Sequence, residues 1–406
     1  MKKFIIIVLV LAGIVFPVSS RACSAIIVSG KYTADGKPLM MKTRDQGNKN
    51  FNTNIKYYTA EGKYDYIAMG PTPWIPAAQI KSTGGGMNAA GLCMASLTSH
   101  SFPNDKSKVP GRSSAALEKY ALANFRSIAE FDAYLASLSH PLGLHFNLCA
   151  IDAFGGAAIY EFGNDTWVKY DVNDSAVAPD GYRCCTNFAF SGDVPEHKSR
   201  NRYEDCIEIM SRVPKNADGK YVITPALLVD ECGRSFVNTT HPDFAGKGGM
   251  VSDEGLISYR NTSNLIVFQG VPDGTDPRFS VMWTALGHPR CSPAIPLLAS
   301  LGNTIPDYID CPPEKYAPIF KDVMDISDAY LYTDSTPGHD RLFNSDNALA
   351  LRPVAVQVEK GINGMFLPLF VKWESGKITD AQFLTAYRKQ LPKYYKLFRK
   401  QFAKYL

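Results

Sequence analysis

The stretch from Cys23 to Asp45, CSAIIVSGKYTADGKPLMMKTRD, decides the fold. Its apolar beginning predicts a buried strand, Asp35-Gly36 is a common turn pair of β-hairpins, and Lys37 to Thr43 predicts the return strand. A hairpin brings the end of its second strand back to the start of its first. We therefore expect the charged residues near Asp45 to lie beside Cys23.

The residues before Cys23 have the pattern of a secretory leader. Lys2 and Lys3 are followed by an apolar run from Phe4 to Val18 and then by small residues at Ser20 and Ala22. This pattern predicts a signal peptide over residues 1–22, cleaved between Ala22 and Cys23. The run is too short for a comfortable membrane helix, and no later segment is longer. We expect an exported protein without stable membrane insertion, in a bacterial periplasm or outside the cell.

Cleavage at this point would leave Cys23 with a free α-amine. An α-amine has a pKa of about 8, so part of it is neutral near pH 7 and can accept a proton, whereas a lysine at about 10.4 cannot do so unaided. The thiolate is the reactive form of cysteine. A cysteine that begins a chain therefore carries nucleophile and base on one residue. Our hypothesis is that removal of the leader creates the active site.

Such a site needs three further groups. Asp45 is the candidate carboxylate for holding the α-amine, and either Arg44 or Lys42 could be the cation that favours the thiolate. The tetrahedral intermediate needs an oxyanion hole. Asn88 and Asn187 are the candidates because both lie in turns at predicted strand ends, although either could be a turn residue only.

Composition and motifs exclude several other functions. The chain has 406 residues, 45% hydrophobic and 20% charged, and its net charge of +4 favours neither nucleic acid nor an acidic partner. A phosphate loop, a dinucleotide-binding loop, zinc-like cysteine spacing and a complete calcium loop are all missing from the sequence. We therefore predict no cofactor and no metal. The nine cysteines leave free thiols and disulfides equally open, with Cys184 and Cys185 on opposite faces of a strand.

The remaining pattern predicts an α+β fold. Strands come in hairpin runs with helix pairs between them, which favours a layered arrangement over alternating parallel units. We predict one domain over 23–406 with a helical C-terminal extension from about residue 310. An amphipathic helix is predicted over 199–213, and a helix pair interrupted near Pro392 over 379–405. We interpret the cations of this last segment as a solvated face, with a membrane-surface role as the alternative.

Several blocks together resemble a known family. Cys23-Ser-Ala-Ile-Ile, the Asp-Gly hairpin and Lys-Thr-Arg-Asp45 are similar to the opening of the cysteine N-terminal nucleophile (Ntn) hydrolases. These include choloylglycine hydrolases, penicillin V acylases and isopenicillin N acyltransferase-like proteins. Gly86 to Leu92 and Thr186-Asn187 resemble later family blocks, and the blocks between 259 and 289 look closest to the acyltransferase-like branch.

The resemblance implies a four-layer αββα sandwich with two antiparallel sheets. It implies hydrolysis or acyl transfer at a linear, non-peptide amide bond through an acyl-enzyme. Cys23 would be nucleophile and base, Asp45 would hold the amine, and Asn187 would contribute to the oxyanion hole. Asn88 would contribute through its backbone amide, and Arg260 is a further candidate for an active-site arginine.

One departure from the family pattern concerns the cation. The family often has arginine three residues before the aspartate, where this chain has Lys42, while Arg44 directly precedes Asp45. Which of the two takes the role stays open at the level of sequence.

The expected partner is a small amide with an apolar acyl group, and relatives suggest a possible homo-oligomer. Tyr66, Trp74, Phe102 and Phe188 are candidates for lining the acyl site. Two alternatives remain. The chain could be a cysteine dipeptidase of the same superfamily, or a non-enzymatic lipoprotein anchored through Cys23, although Arg21 fits a lipoprotein signal poorly.

The mature protein is expected to begin at Cys23 with a free amine. The intact mass of the exported protein, combined with N-terminal sequencing, should correspond to unmodified residues 23–406. A mass increase corresponding to a diacylglyceryl group would block the amine and contradict the catalytic hypothesis in favour of a lipid anchor.

Overall fold

A computed structural model of the chain describes residues 22–45, 53–59, 62–70, 84–102, 109, 112–192, 199–237, 248–310, 316–336, 338–339 and 341–406. The strands are β1 Ala22–Val28, β2 Leu39–Asp45, β3 Ile55–Tyr58, β4 Tyr66–Met69, β5 Gly86–Asn88, β6 Cys93–Thr98, β7 Phe146–Ile151, β8 Ala157–Phe162, β9 Trp167–Asp171, β10 Tyr182–Cys185, β11 Met250–Ser252, β12 Thr262–Gln269, β13 Val281–Leu286, β14 Ile295–Leu297 and β15 Leu342–Asn344. The helices are α1 Ser114–Asn124, α2 Ile128–Ser137, α3 Arg200–Ser211, α4 Pro225–Gly233, α5 Pro318–Ile326, α6 Ser345–Glu374 and α7 Asp380–Gln401.

The strands form two large sheets whose pairings are all antiparallel. The first sheet has six strands in the order β10-β1-β2-β12-β13-β14, and the second has seven in chain order from β3 to β9. β11 and β15 form a separate two-stranded ribbon. Strands β1 and β2 contact β6, β7 and β8, so the two large sheets pack face to face.

Residue alternation along the second sheet separates two layers of core. Leu148 and Tyr160 belong to the cluster between this sheet and helices α1 and α2, where Tyr160 meets Phe131 edge-on at 5.3 Å. Cys149 and Ile159 belong to the other cluster and face the first sheet. Side chains of neighbouring strand residues point to opposite faces, so both faces of these strands are buried.

Helices cover the outer face of the first sheet as well. α3 packs on β1 and β10, α4 packs on β2 and β12, and α5 and α6 pack on β13 and β14. The result is helices, sheet, sheet and helices, which confirms the predicted αββα arrangement.

The hairpin predicted from the opening stretch is also confirmed. β1 and β2 pair so that Cys23 lies opposite Arg44 and Ala22 lies opposite Asp45. The turn contains Gly36 at φ 74°, a conformation that glycine adopts without steric cost. The hairpin occupies the centre of the first sheet, between β10 and β12.

The predicted interruption near Pro392 is wrong, because α7 runs unbroken from Asp380 to Gln401. Pro392 is exposed, while the buried stripe that includes Tyr387 and Phe398 remains continuous against the core. Tertiary packing of this stripe compensates for the hydrogen bond that proline cannot make. α6, with 30 residues, lies in the region predicted to be a helical extension, but it was not predicted as an individual helix. None of the helices in the described ranges is both long and apolar enough to cross a bilayer.

A buried ion pair fixes α6 to the rest of the molecule. The guanidinium of Arg234, at the end of α4, donates two hydrogen bonds to Glu359 of α6, at 2.7 and 3.0 Å. The side chain of Arg234 is fully buried, and it also donates to the carbonyls of Pro289 and Ser292. Removing one partner of such a pair leaves an uncompensated charge inside the protein.

Glu359→Ala is therefore expected to lower the free energy of unfolding by about 3–5 kcal/mol, measured by urea denaturation. The control is Glu208→Ala, which removes an exposed ion pair with Arg212 within α3. The control should cost less than about 1 kcal/mol. Equal losses in the two variants would contradict a structural role for the buried pair.

Candidate active site

Cys23 lies at the beginning of a central strand and is only 7% exposed. Its backbone N–H donates to the side-chain oxygen of Asn187 at 2.7 Å. In the described chain this nitrogen is an amide joined to Ala22, which also belongs to β1. The atom that would become an α-amine is therefore already held by a specific acceptor.

Asn187 connects the two sheets. It follows β10, and its backbone N–H donates to the hydroxyl of Ser199 at 3.2 Å. Its side-chain NH₂ donates to the carbonyl of Thr98, the last residue of β6, at 2.8 Å. A side-chain amide has two N–H groups, so one remains for another acceptor at this position. The structure brings Asn187 to Cys23, as the sequence suggested.

Arg202 is a site residue that the sequence reasoning missed. Its guanidinium donates to the carbonyl of Cys23 at 2.6 Å, to the hydroxyl of Ser24 at 2.8 Å and to the side-chain oxygen of Asn187 at 2.8 Å. It also lies 3.9 Å from Asp45. A signal was present, because Arg202 falls on the otherwise mainly apolar stripe of the amphipathic helix α3, where a cation needs a buried partner.

The carboxyl group of Asp45 is buried, and only one of its two oxygens is hydrogen-bonded within the described residues. Oδ1 accepts a hydrogen bond from the hydroxyl of Thr262 at 2.6 Å, whereas Oδ2 has no hydrogen-bond partner among the described residues. Burial raises the pKa of Asp45 to about 7, and the nearby Arg202 and the Thr262 hydrogen bond oppose this rise. Thr262 is a second residue that the sequence reasoning did not assign to the site.

Lys42 and Arg44 both lie on the face of the hairpin that carries the Cys23 side chain. Arg44 is opposite Cys23, and Lys42 is two residues along the same strand. Lys42 donates to the carbonyl of Gly84, and Arg44 donates to the sulfur of Met69 at 3.5 Å. Burial lowers the pKa of Lys42, and the nearby Cys23 opposes this shift. The thiol thus faces two cations, and Asp45 points to the other face, towards α3.

Gly84 allows this arrangement of cations. It has φ 74°, and a β-carbon at this position would lie 2.6 Å from the methyl group of Met69 and 3.2 Å from Nε of Arg44. Any other residue would be strained and would displace these side chains.

The structure does not bring Asn88 to Cys23. Its side chain accepts hydrogen bonds from the amides of Ala90 and Leu92 and donates to two carbonyls at the end of α1, and its own amide donates to Leu92. The amide that the predicted oxyanion role requires is therefore engaged in the turn. Asn88 is next to the start of β6, whereas the Asn187 contact is at Thr98, about 17 Å along that strand. The end of β6 at Thr98 is the end nearest to the thiol.

Arg260 lies in the segment just before β12, outside the immediate contacts of Cys23. Its backbone N–H donates to Asp253 at 2.6 Å, and its guanidinium stacks over the ring of Tyr332 at 5.0 Å. Through these contacts Arg260 helps to hold in place the segment that leads to Thr262.

Aromatic residues cluster directly after Asn187. Phe188, Phe190 and Tyr203 contact one another edge-on with ring centroids 4.9–5.5 Å apart, and Phe190 is 46% exposed. Tyr66 instead belongs to the outer cluster beneath α1 and α2. Trp74 lies outside the described residues.

Cys184 and Cys185 point to opposite faces of β10, as expected for neighbouring residues of a strand. The sulfur of Cys185 accepts a hydrogen bond from Asn147 of the second sheet at 3.4 Å, whereas Cys184 contacts Cys206 of α3. The eight cysteines in the described ranges are all free, and Cys311 lies outside those ranges. In the same ranges, His, Cys, Asp and Glu side chains form no group of three that could hold a metal.

Comparison with known proteins identifies the type of enzyme. A sequence model described as acyl-coenzyme A:6-aminopenicillanic acid acyl-transferase matches residues 32–238, about half of the chain. With the four-layer fold, this match defines an N-terminal nucleophile enzyme of the amidohydrolase and acyltransferase type. The chain belongs to the acyl-coenzyme A:6-aminopenicillanic acid acyl-transferase family. The resemblance to Ntn hydrolases is therefore confirmed.

Solved structures with a similar fold include penicillin V acylase from Agrobacterium tumefaciens, at 16% identity and a TM-score of 0.36, covering 68% of this chain and 86% of that chain. A mutant of conjugated bile acid hydrolase from Clostridium perfringens is 13% identical with a TM-score of 0.35, covering 65% of this chain and 89% of that chain. A search of curated proteins finds no match.

The raised pKa of Asp45 gives a prediction for a chain that begins at Ser19, which keeps the peptide bond before Cys23 and places no new α-amine at Ala22, opposite Asp45. Between about pH 4 and pH 7 the unfolded carboxyl is ionised while the folded one keeps its proton. The folded state should therefore lose stability as pH rises, by about 1.4 kcal/mol per pH unit and up to about 4 kcal/mol in total, with no further loss above pH 7.

The measurement is urea unfolding at several pH values, with Asp45→Asn as the matched variant, since asparagine does not titrate. The difference in unfolding free energy between the two proteins should change steadily over this window. Parallel pH curves for the two proteins would show that the carboxyl is not perturbed by burial.

Proposed function

We propose that this protein is an exported amidohydrolase or acyltransferase that cleaves linear, non-peptide amide bonds, with Cys23 as its N-terminal nucleophile. One observation carries the proposal. The backbone nitrogen of Cys23 is held by Asn187 at 2.7 Å, and Asp45, opposite the preceding residue, has a carboxylate oxygen without a hydrogen-bond partner among the described residues. This arrangement suits a free amine better than an amide.

Removal of residues 1–22 would change the chemistry of that nitrogen. An amide nitrogen has one N–H and no basic lone pair, whereas an amine can take up a proton and donate several hydrogen bonds. The amine could keep its bond to Asn187 and gain one to the free oxygen of Asp45. Arg202 supports this geometry because it holds Asn187, the carbonyl of Cys23 and the surroundings of Asp45 together.

The reaction would begin with transfer of the Cys23 thiol proton to its own α-amine. The thiolate, which faces Lys42 and Arg44, would attack the substrate carbonyl carbon. The second side-chain N–H of Asn187 would donate to the resulting oxyanion, and one such donor typically lowers the barrier by about 3–4 kcal/mol. The α-ammonium would then return its proton to the leaving amine as the C–N bond breaks.

The second half of the reaction would release the acyl group from the thioester. A water molecule or an acceptor amine would lose a proton to the α-amine and attack the thioester carbonyl. Water gives hydrolysis, and an amine gives acyl transfer. The C–S bond would then break, and the α-ammonium would return its proton to the Cys23 thiolate, which restores the starting enzyme.

The acyl group is proposed to be apolar. The cluster of Phe188, Phe190 and Tyr203 begins at the residue after Asn187, and its exposed member Phe190 offers apolar surface in this part of the molecule. Membership of an acyltransferase family is in keeping with this chemistry.

Cys23→Ala is expected to abolish amidase activity, because it removes the only atom that forms the acyl-enzyme. The assay would compare phenoxyacetyl amides, bile-acid amides and N-acyl amino acids with dipeptides, each with and without an acceptor amine. Cys93→Ala is the matched control, since it removes another buried thiol at the far end of β6 and should retain activity. Turnover of dipeptides alone would favour the dipeptidase alternative, and activity retained in Cys23→Ala would refute the proposal.

A further inference from the structure

The positive charge of the chain is concentrated at its end. Residues 380–406 contain seven lysines and arginines and one acidic residue, Asp380, a formal charge of +6. The whole chain carries +4, so the other 379 residues together carry −2. The small total therefore hides a strong asymmetry, which is the pattern expected of a protein with a basic interaction surface.

The fold turns this charge into a fixed surface. The opposite side of α7 is buried through a stripe that includes Tyr387, Tyr394 and Phe398, so the helix is held against the core. Between 388 and 406 the exposed residues are seven cations and three apolar residues: Arg388, Lys389, Lys393, Lys396, Arg399, Lys400, Lys404, Pro392, Ala403 and Leu406. We call these seven cations the basic face.

Most of the basic face is not neutralised by the protein itself. Arg399 pairs with Asp322 at 3.1 Å, and Lys404 lies over the ring of Tyr405 at 4.6 Å. Within the part of the chain that the structure describes, no ion pair involves Lys389, Lys393, Lys396 or Lys400. From Lys389 to Lys404 the basic face extends about 22 Å along the helix.

We propose that the basic face of α7 docks the protein on a bilayer surface that contains anionic phospholipids. Charge complementarity supplies the attraction, at about fivefold in affinity for each lysine near such a surface. Residues 388–406 contain no acidic side chain that would oppose this attraction. Nucleic acid is a poorer fit, because the exposed positions include no amide side chain for reading bases and no aromatic ring for stacking on them.

This surface lies outside the matched family segment and away from Cys23 in sequence, so the inference is independent of the proposed reaction. It places the enzyme at a membrane without insertion. The proposal takes up the membrane-surface alternative that the sequence analysis left open for these cations.

The test is co-sedimentation of the protein comprising residues 23–406 with vesicles. One set of vesicles contains equal parts phosphatidylglycerol and phosphatidylcholine, and the other contains phosphatidylcholine alone. Binding is expected only to the anionic vesicles and should be lost in about 0.5 M salt. The variant Lys393→Gln/Lys396→Gln/Lys400→Gln should bind about a hundredfold more weakly. The control variant Lys31→Gln/Lys63→Gln/Lys220→Gln has the same change in net charge at exposed lysines on other elements and should lose less than about fivefold.

Thermal unfolding of both variants should match that of the wild type, because all six side chains are exposed. Equal loss of vesicle binding in the two triple variants would overturn the proposal, since only net charge would then matter. The absence of binding to anionic vesicles would also overturn it. So would tighter binding to a DNA duplex than to the vesicles at the same salt concentration.

Discussion

The side chain of Asn187 is the interaction on which the site depends. Its oxygen accepts from the nitrogen of Cys23 in one sheet, and its NH₂ donates to the carbonyl of Thr98 in the other. Arg202 of α3 holds the same oxygen and so adds the outer helix layer to the connection. Three of the four layers therefore meet at one amide group. The position of the thiol is set by this junction rather than by the strand alone.

Strand alternation divides the electrostatics of the site into two halves. Cys23, Lys42 and Arg44 share the face that looks into the space between the sheets, while Asp45 and Arg202 lie on the helix side. On the proposed mechanism, the thiolate and the amine of Cys23 would therefore have separate counter-charges on either side of β1. Burial acts on both halves, since it lowers the pKa of Lys42 and raises that of Asp45. Desolvation disfavours the charged form of each group.

The features that the sequence could predict depend on interactions between residues that are close together in the chain. The β1–β2 hairpin was accessible because its apolar run and Asp-Gly turn lie within 23 residues, and the pairing of its ends follows from geometry. The contact of Arg202 with Cys23 spans 179 residues, and no local pattern reports such a distance. A cation on a buried helical stripe indicated only that a partner must exist.

Asn88 shows a different limit. Its turn was recognised correctly, but a turn belongs to one end of a strand, and the sequence does not say which end faces the site. The Asn88 turn precedes the start of β6, and the opposite end of β6, at Thr98, is the one that meets Asn187. Pro392 shows the third limit, since a residue that would break an isolated helix is tolerated where a long buried stripe holds the helix in place.

The unsatisfied oxygen of Asp45 has a consequence for the direction of maturation. In the uncleaved chain the described residues place the Arg202 guanidinium 3.9 Å from this buried carboxyl but no ammonium beside it, and burial raises its pKa to about 7. On the proposed maturation, a new ammonium at Cys23 would favour the ionised carboxylate through an ion pair. Re-forming the peptide bond would remove that partner. The ion pair between the α-ammonium and Asp45 would thus stabilise the cleaved form of the folded protein relative to the uncleaved form.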